Sequence, residues 1–238
     1  MKSHAIRRVK PGSIAEELGI EPGDLLLTIN NKQLTDILDY IYLSSLEYLE
    51  VAIRKKDGQE WILDIEKDAD EELGLDFEMP LMDHERHCAN KCIFCFIDQL
   101  PPNTRSTMHV KDDDWRLSFF MGNYVTLTNI SEKDINRIVE NRVSPLYISV
   151  HTTNPELRKK MMGNNRAGNI LELMERFRSA GIHMHCQIVL CRGWNDGTEL
   201  DKTIADLWGM RDAVRSVAVV PVGLTGYRQG LETLVAFD

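Results

Sequence analysis

Long apolar runs are missing from this sequence. No stretch approaches the roughly 20 apolar residues that a membrane-spanning helix requires. The basic first 13 residues are not followed by the apolar segment of a secretory signal. Internal repeats and low-complexity tracts are missing too, which argues against a repeat architecture. We therefore expect a cytoplasmic protein that does not use a membrane.

Basic residues are in deficit. Lys and Arg total 28 against 37 Asp and Glu, which gives a formal net charge of −9. Because nucleic acids are bound largely through phosphate contacts with cationic side chains, this balance argues against broad nucleic-acid binding, although a local basic groove is compatible with it. Both signs are mixed along the 238 residues, 43% of which are hydrophobic. This composition predicts one or two packed domains.

Cysteines are few and odd in number. The chain has five, and three of them, Cys88, Cys92 and Cys95, fall within the stretch CANKCIFC. Disulfides would leave at least one thiol over, and spacing this tight disfavours bridges among the three. In a reducing cytosol, such a group predicts metal binding or catalysis.

Residues 1–79 predict a small β-rich domain. Turn signals such as Pro22-Gly23-Asp24 and Lys56-Asp57-Gly58 separate short apolar segments. An acidic stretch from Glu66 to Glu78 is expected to be a solvated final strand and linker, with a domain boundary near Pro80. The expected strands are 5–9, 25–29, 51–53 and 61–65, and the expected helices are 14–18 and 37–44.

This first segment resembles a PDZ domain. The resemblance is carried by GSIAEELGIEPGDLLLTINNKQL, Gly12 to Leu34, which is similar to the core of bacterial PDZ modules. The fold binds peptides by adding a strand to an exposed sheet edge, so the resemblance implies a peptide or protein partner. No carboxylate-binding Gly-rich loop is evident, and a packing or docking module within the same chain is an equal alternative.

From residue 80 to 238 the pattern changes to strands alternating with helices. The spacing predicts strands at 124–128, 146–150, 185–190 and 217–222. Ser131 and Asp134 form a capping-box pattern, and apolar residues at helical spacing follow. Such alternation is typical of a parallel α/β sheet or barrel.

Three soft thiols on one short loop favour an iron–sulfur cluster. Three cysteines cannot supply all four ligands of such a cluster, so one iron stays open for substrate or cofactor. Zinc is the alternative, since His84, His87 or Cys186 could complete a tetrahedral site. Zinc sites usually pair two Cys/His knuckles, however, and no second pair is present. Inert thiols would require three cysteines to be clustered by accident.

The triplet C-x-x-x-C-x-x-C, with Phe94 before its third cysteine, resembles the signature of the radical S-adenosylmethionine (SAM) superfamily. The stretches CIFCFIDQLP, KDDDWRLSFFMGNYVTLTN, SPLYISVHTTNPELRKKMMGN, QIVLCRGWNDG and SVAVVPVGLTGYRQGL are similar to a family that joins an N-terminal PDZ module to a radical SAM core and a further C-terminal domain. The resemblance implies a partial (β/α)6-type barrel. It also implies an oxidoreductase that takes electrons from an external donor and acts on a substrate that the sequence does not identify.

The resemblance further implies site residues. Cys88, Cys92 and Cys95 would each bind one iron of a [4Fe–4S] cluster, and the fourth iron would bind SAM to yield a 5′-deoxyadenosyl radical. Gly122 and Asn123 occupy the place of the Gly-Gly-Glu segment that meets the methionine amino group. Ser149 and His151, at a strand end, are expected to contact ribose or substrate, with a helix cap or a satisfied polar residue as the structural alternatives.

Other polar residues near these strands have simpler interpretations. Asn195-Asp196-Gly197 is first of all a turn signal, Cys186 and Cys191 are expected to be core thiols, and the run from Lys111 to Asp114 is expected to be solvated surface or a substrate contact.

About five strands precede residue 238, where six βα units are usual, so the chain is expected to be a truncated form. The alternative function is a zinc- or cluster-stabilised peptide-binding or sensor protein without radical catalysis.

Overall fold

A computed structural model describes residues 3–237. The chain divides into two compact units, Met1–Glu85 and Arg86–Asp238. No helix in the part that the structure describes is both long and apolar enough to cross a membrane.

The first unit is an antiparallel sheet with two helices. Strand order is β5-β4-β2-β1-β6, with β3 paired to β2. The sheet contains every strand expected from the sequence, and the acidic stretch supplies β6, which pairs with β1. The elements are β1 (His4–Val9), α1 (Ile14–Glu17), β2 (Leu25–Ile29), β3 (Lys32–Gln33), α2 (Ile37–Ser44), β4 (Tyr48–Arg54), β5 (Glu60–Glu66) and β6 (Leu75–Phe77).

Local chemistry explains these boundaries. Ser13 begins α1 by accepting a hydrogen bond from the Glu16 amide, and Asp36 begins α2 in the same way through Leu38. β4 and β5 pair in continuous register across the hairpin. One face of the sheet closes over an apolar core that includes Leu26, Ile53 and the flanking helices. Burial of alternating side chains therefore fixes the register of this unit.

The second unit is α/β, with helices around a parallel sheet of order β7-β8-β9. Helix α4 begins at the predicted capping box, in which Ser131 and Asp134 satisfy each other's backbone amides. Helix α5 begins at Asn154 with Pro155 in its first turn and ends at Gly163, which has φ +57°. The elements are α3 (Trp115–Met121), α4 (Glu132–Glu140), β7 (Leu146–Ser149), α5 (Pro155–Met162), α6 (Ile170–Ser179), β8 (Met184–Leu190), α7 (Thr198–Gly209) and β9 (Val214–Pro221).

The strand predicted at 124–128 is wrong. Only Val125 forms a bridge, parallel to Ile148. The amide of Thr126 donates to Asp113 Oδ1 at 2.6 Å, and Leu127 has φ +62°. Because side chains take the amides that a ladder would use, and the backbone turns into the left-handed region, the segment cannot continue as a strand.

The segment before the cysteine loop likewise forms only one bridge, between His87 and Asp112. The Arg86 amide donates to the Asp114 side chain at 3.1 Å rather than to a neighbouring strand. In the described residues the partial barrel therefore has three regular strands, not five.

The outer strand β9 is unusually open. Val219 and Val220 project to opposite faces, as successive strand residues do, and each is 40% exposed. Parallel sheets are normally covered on both faces, so β9 differs from β7, whose Leu146 and Ile148 are fully buried.

Candidate functional site: the cysteine loop and its surroundings

The cysteine loop, residues 88–95, has no helix or strand and is held by backbone hydrogen bonds. The Cys88 amide donates to the Lys111 carbonyl at 2.9 Å. The amides of Lys91 and Ile93 donate to the carbonyls of Met162 and Met161 at the end of α5, each at 2.9 Å. Two different segments therefore fix the loop.

Close packing at Gly163 makes the contact with α5 tight. A Cβ atom at this position would lie 2.9 Å from the Lys91 carbonyl oxygen. With its left-handed φ, Gly163 both ends α5 and lets the cysteine loop approach the helix.

The three loop cysteines are half-buried, and none is in a disulfide. Burial raises the pKa of Cys92 to about 12, and the neighbouring Cys88 and Cys95 add to the effect. Burial also raises the pKa of Cys95. Cys92 and Cys95 are therefore neutral thiols at physiological pH, and they become thiolates when a cationic metal centre compensates their charge.

This donor set fits an iron–sulfur cluster. Within residues 3–237, no three His, Cys, Asp or Glu side chains converge on one point. A [4Fe–4S] cluster places each thiolate on a different iron, so three cysteines can bind it without meeting at one atom.

Asn90, between the first two cysteines, is 5% exposed. Its Nδ2 donates to Cys88 Sγ at 3.3 Å and to Thr126 Oγ1 at 2.9 Å. Its Oδ1 accepts from the Thr128 hydroxyl at 2.9 Å and from Asn164 Nδ2 at 2.8 Å. The amide thus joins the cysteine loop to the segment that replaces the predicted strand.

Arg158, on α5, is 1% exposed. Its guanidinium donates to the carbonyl oxygens of Val150 (2.9 Å), Ala167 (2.6 Å), Thr126 (3.0 Å) and Ser149 (2.8 Å). Burial lowers its pKa to about 10, against the opposing effect of Cys92 and Asp113. A charged group therefore lies beneath the cysteine loop and holds the end of β7 in place.

His151 packs directly on the cysteine loop. Its ring lies 4.4 Å, centroid to centroid, from Phe94. The ring Nδ1 accepts a hydrogen bond from the Val189 amide at 3.2 Å, so the proton of the neutral ring is on Nε2. Burial, with a smaller effect of Arg158, lowers the pKa of His151 to about 3. The residue is therefore a neutral imidazole at physiological pH.

The backbone of His151 is strained, with φ +63°. Asn195, which we interpreted from sequence as shaping a turn, is buried and donates to the carbonyls of His151 at 2.8 Å and Val189 at 3.0 Å. Its Oδ1 accepts from the Cys191 amide at 2.7 Å. Buried positions with φ > 0 persist only where their surroundings over-determine them, and Asn195 supplies that constraint.

The remaining sequence-predicted residues lie at different distances from the loop. Asn123 Nδ2 donates to Asp112 Oδ2 at 2.9 Å, and Asp112 bridges to His87, beside Cys88. Ser149 is buried at the end of β7, and its carbonyl accepts a hydrogen bond from Arg158 beneath the cysteine loop. Gly122 ends α3 and lies against the ring of Tyr147.

The acidic run was expected to be solvated or to touch substrate, and the first expectation is wrong for two of its members. Asp113 and Asp114 are buried. Asp114 begins α3 and pairs with the buried Arg116 at 2.6 Å. Burial raises the pKa of Asp113 against its hydrogen bonds with Thr126. Cys186 and Cys191 are buried, as expected for core thiols.

Sequence reasoning missed Asn90 and Arg158. For Arg158 a signal was available: Asn154-Pro155 and Gly163 bracket a helix, and Arg158 shares its inner face with Met161 and Met162. A charged residue on such a face requires internal partners. For Asn90 the spacing between cysteines gave no comparable signal.

Two protein-family models match parts of the chain. The model of the Radical SAM-like domain matches residues 67–217, more than half of the chain, and that of the PDZ domain matches residues 6–45. A comparison with curated proteins gave no match.

Two solved structures are similar to the chain. SuiB from Streptococcus suis is 12% identical, with a TM-score of 0.37 over 48% of this chain and 25% of its own. A radical SAM methyltransferase from Sphaerobacter thermophilus is 16% identical, with a TM-score of 0.35 over 92% of this chain and 73% of its own. The chain thus spans about a quarter of the length of SuiB. By the match over residues 67–217, the chain belongs to the radical SAM-like family, with a PDZ domain near its N-terminus.

Proposed function

We propose that this chain is a radical SAM enzyme whose [4Fe–4S] cluster is bound by Cys88, Cys92 and Cys95. The observation that carries the proposal is the loop of three free, half-buried thiols fixed to α5. When bound, the cluster and S-adenosylmethionine supply reductive cleavage of the sulfonium and a 5′-deoxyadenosyl radical that abstracts hydrogen. We propose that an external donor supplies the electron and that the substrate undergoes a net oxidation or reduction. Free thiols suit the reducing cytoplasm.

The protein's part is to orient and to exclude water. The His151 ring packs at a tilt against Phe94 of the loop and shields that side of it from water. His151 can offer its Nε2–H as a donor to the ribose or substrate, because its Nδ1 is occupied by the Val189 amide. Asn123, tied to Asp112, is the candidate contact for the methionine group. Ser149 and Gly122 are proposed as further contacts at the ends of β7 and α3.

Anaerobic reconstitution tests the cluster. Wild-type chain should be brown, contain about four irons per chain, and change its reduced spectrum when S-adenosylmethionine is added. Cys92→Ser should lose iron, whereas Cys186→Ala, a matched control at a buried cysteine outside the loop, should retain it. Colourless protein with stoichiometric zinc would overturn the proposal in favour of a zinc-stabilised binding protein.

The radical reaction is tested separately. Reduced, cluster-loaded chain should convert S-adenosylmethionine to 5′-deoxyadenosine and methionine. An intact cluster that binds S-adenosylmethionine without forming 5′-deoxyadenosine would favour a sensor or electron-transfer role. His151→Phe should lower the rate more than it lowers iron content, because it removes the Nε2–H donor and not a thiol.

We further propose that the PDZ domain binds an extended peptide beside β6. A groove of about 480 Å³ runs along this strand, lined by Tyr40, Ile41 and Ser44 of α2 and by the segment 69–76. In the described residues β6 pairs on one side only, with β1. An edge strand next to a helix that contributes Tyr40 and Ile41 to the groove suits peptide addition as an extra strand.

Selection from a phage-displayed random peptide library on the full chain tests this second proposal. Ile41→Arg, in the groove, should weaken binding of a selected peptide at least about tenfold, which is ~1.4 kcal/mol. Ile62→Arg, at an exposed isoleucine on β5 outside the groove, is the matched control and should leave affinity unchanged. Equal affinity of both variants would contradict the assignment of this groove.

A further inference from the structure

The orientation of the Asn90 side chain is fixed by a chain of hydrogen bonds that starts at a backbone amide. The Arg166 amide donates to Asn164 Oδ1 at 2.9 Å, which leaves Asn164 Nδ2 to donate to Asn90 Oδ1 at 2.8 Å. The Thr128 hydroxyl donates to the same oxygen at 2.9 Å. Because a backbone N–H can only donate, the order of donors is set, and the Asn90 NH2 group must face Cys88.

Both hydrogens of this NH2 group have partners. One is directed at Cys88 Sγ, at 3.3 Å between nitrogen and sulfur. The other goes to Thr126 Oγ1 at 2.9 Å, whose own proton is given to Asp113 Oδ2. The amide is therefore held from both sides, and its burial keeps water from competing for the sulfur.

We propose that Asn90 is a positioning residue that sets the reduction potential of the cluster through its N–H···S bond to Cys88. The inference rests on the proposed function. Hydrogen bonds to ligand sulfurs are among the factors that set cluster potentials. Such a bond withdraws electron density from the thiolate, so it favours the reduced, more negative form and makes the cluster easier to reduce.

The size of the effect follows from the kind of bond. A hydrogen bond to a charged group is stronger than one between neutral groups, and only part of its free energy differs between the two oxidation states. We therefore expect loss of the bond to lower the ratio of reduced to oxidised cluster about tenfold at a fixed potential, which is a shift of ~59 mV for one electron.

The experiment is a redox titration of reconstituted full-length chain, followed by electron paramagnetic resonance. Asn90→Ala should have a more negative midpoint than wild type. Asn129→Ala is the matched control, because its amide donates to the carbonyls of His87 and Asp113 beside the cysteine loop, and its removal leaves the bonds of Asn90 in place. Its midpoint should stay within error of wild type.

The outcomes separate this inference from the proposed function. If wild-type chain takes up no cluster, the proposed function fails. If wild type has a cluster and Asn90→Ala has the same midpoint, the role of Asn90 is refuted. If Asn90→Ala takes up no cluster, the double variant Thr128→Val/Asn164→Ala decides, because it removes both donors to Asn90 Oδ1 without altering the loop. A more negative midpoint supports the inference and an unchanged one overturns it.

Discussion

Protonation of His151 should destabilise the fold, because the folded chain has no place for a second ring proton. The ring is 3% exposed, and its Nδ1 accepts the Val189 amide proton. Burial first, and the charge of Arg158 second, lower its pKa to about 3. In the unfolded chain the same ring has a pKa of about 6.5.

The direction in which stability changes with pH follows from the folded and unfolded pKa values of His151. Since the folded pKa is the lower one, the unfolded chain binds more protons between pH 6.5 and 3, and stability falls as pH falls through that window. Between pH 8 and pH 5 the difference in proton binding amounts to about 2 kcal/mol.

Urea unfolding of the reduced, cluster-free chain at pH 8 and pH 5 measures the effect, with His151→Asn as the reference. Asparagine tolerates φ +63°, and its side-chain oxygen can accept from the Val189 amide. Other groups titrate in both chains and cancel in the comparison. The stability of wild type relative to the variant should fall by about 2 kcal/mol from pH 8 to pH 5. A relative stability that does not change with pH would refute the assignment of His151 as a neutral buried ring.

Three substitutions test the scaffold by urea unfolding of the same chain. Arg158→Met should lower the free energy of unfolding by about 4 kcal/mol, because four buried carbonyls each lose a donor that contributes roughly 1 kcal/mol. Unchanged stability would show that the cost of burying the charge cancels those hydrogen bonds. Gly163→Ala should cost more than Gly181→Ala, since both have positive φ but only the first meets Lys91, and equal losses would contradict the close approach. Ser131→Ala should cost about 1 kcal/mol through loss of the capping box, and a loss near zero would argue against that cap.

Much of the first unit could be predicted because its signals are local. Turn residues and alternating apolar positions mark β2 and the hairpin of β4 and β5, and all of these confirm the prediction. The start of α4 follows from one capping box. Such elements are set by residues within a few positions of each other.

The surroundings of the cysteines could not be predicted, because they depend on contacts between distant segments. Asn90 meets Asn164, 74 positions along the chain, and His151 meets Asn195, 44 positions away. The segment 124–128 has strand-like composition, yet Asp113 takes its amide. Tertiary hydrogen bonds override β-strand propensity where buried side chains bond to the backbone amides that a sheet would use.

The open strand β9 has a consequence for the behaviour of the chain in solution. A long outer strand with valines on both faces offers unpaired backbone groups and apolar surface to any extended segment. We expect light scattering of concentrated samples to rise with concentration, and Val219→Lys to reduce the rise, because a charged edge resists strand pairing. We expect this edge, more than the net charge of −9, to limit the concentration at which the chain stays dispersed.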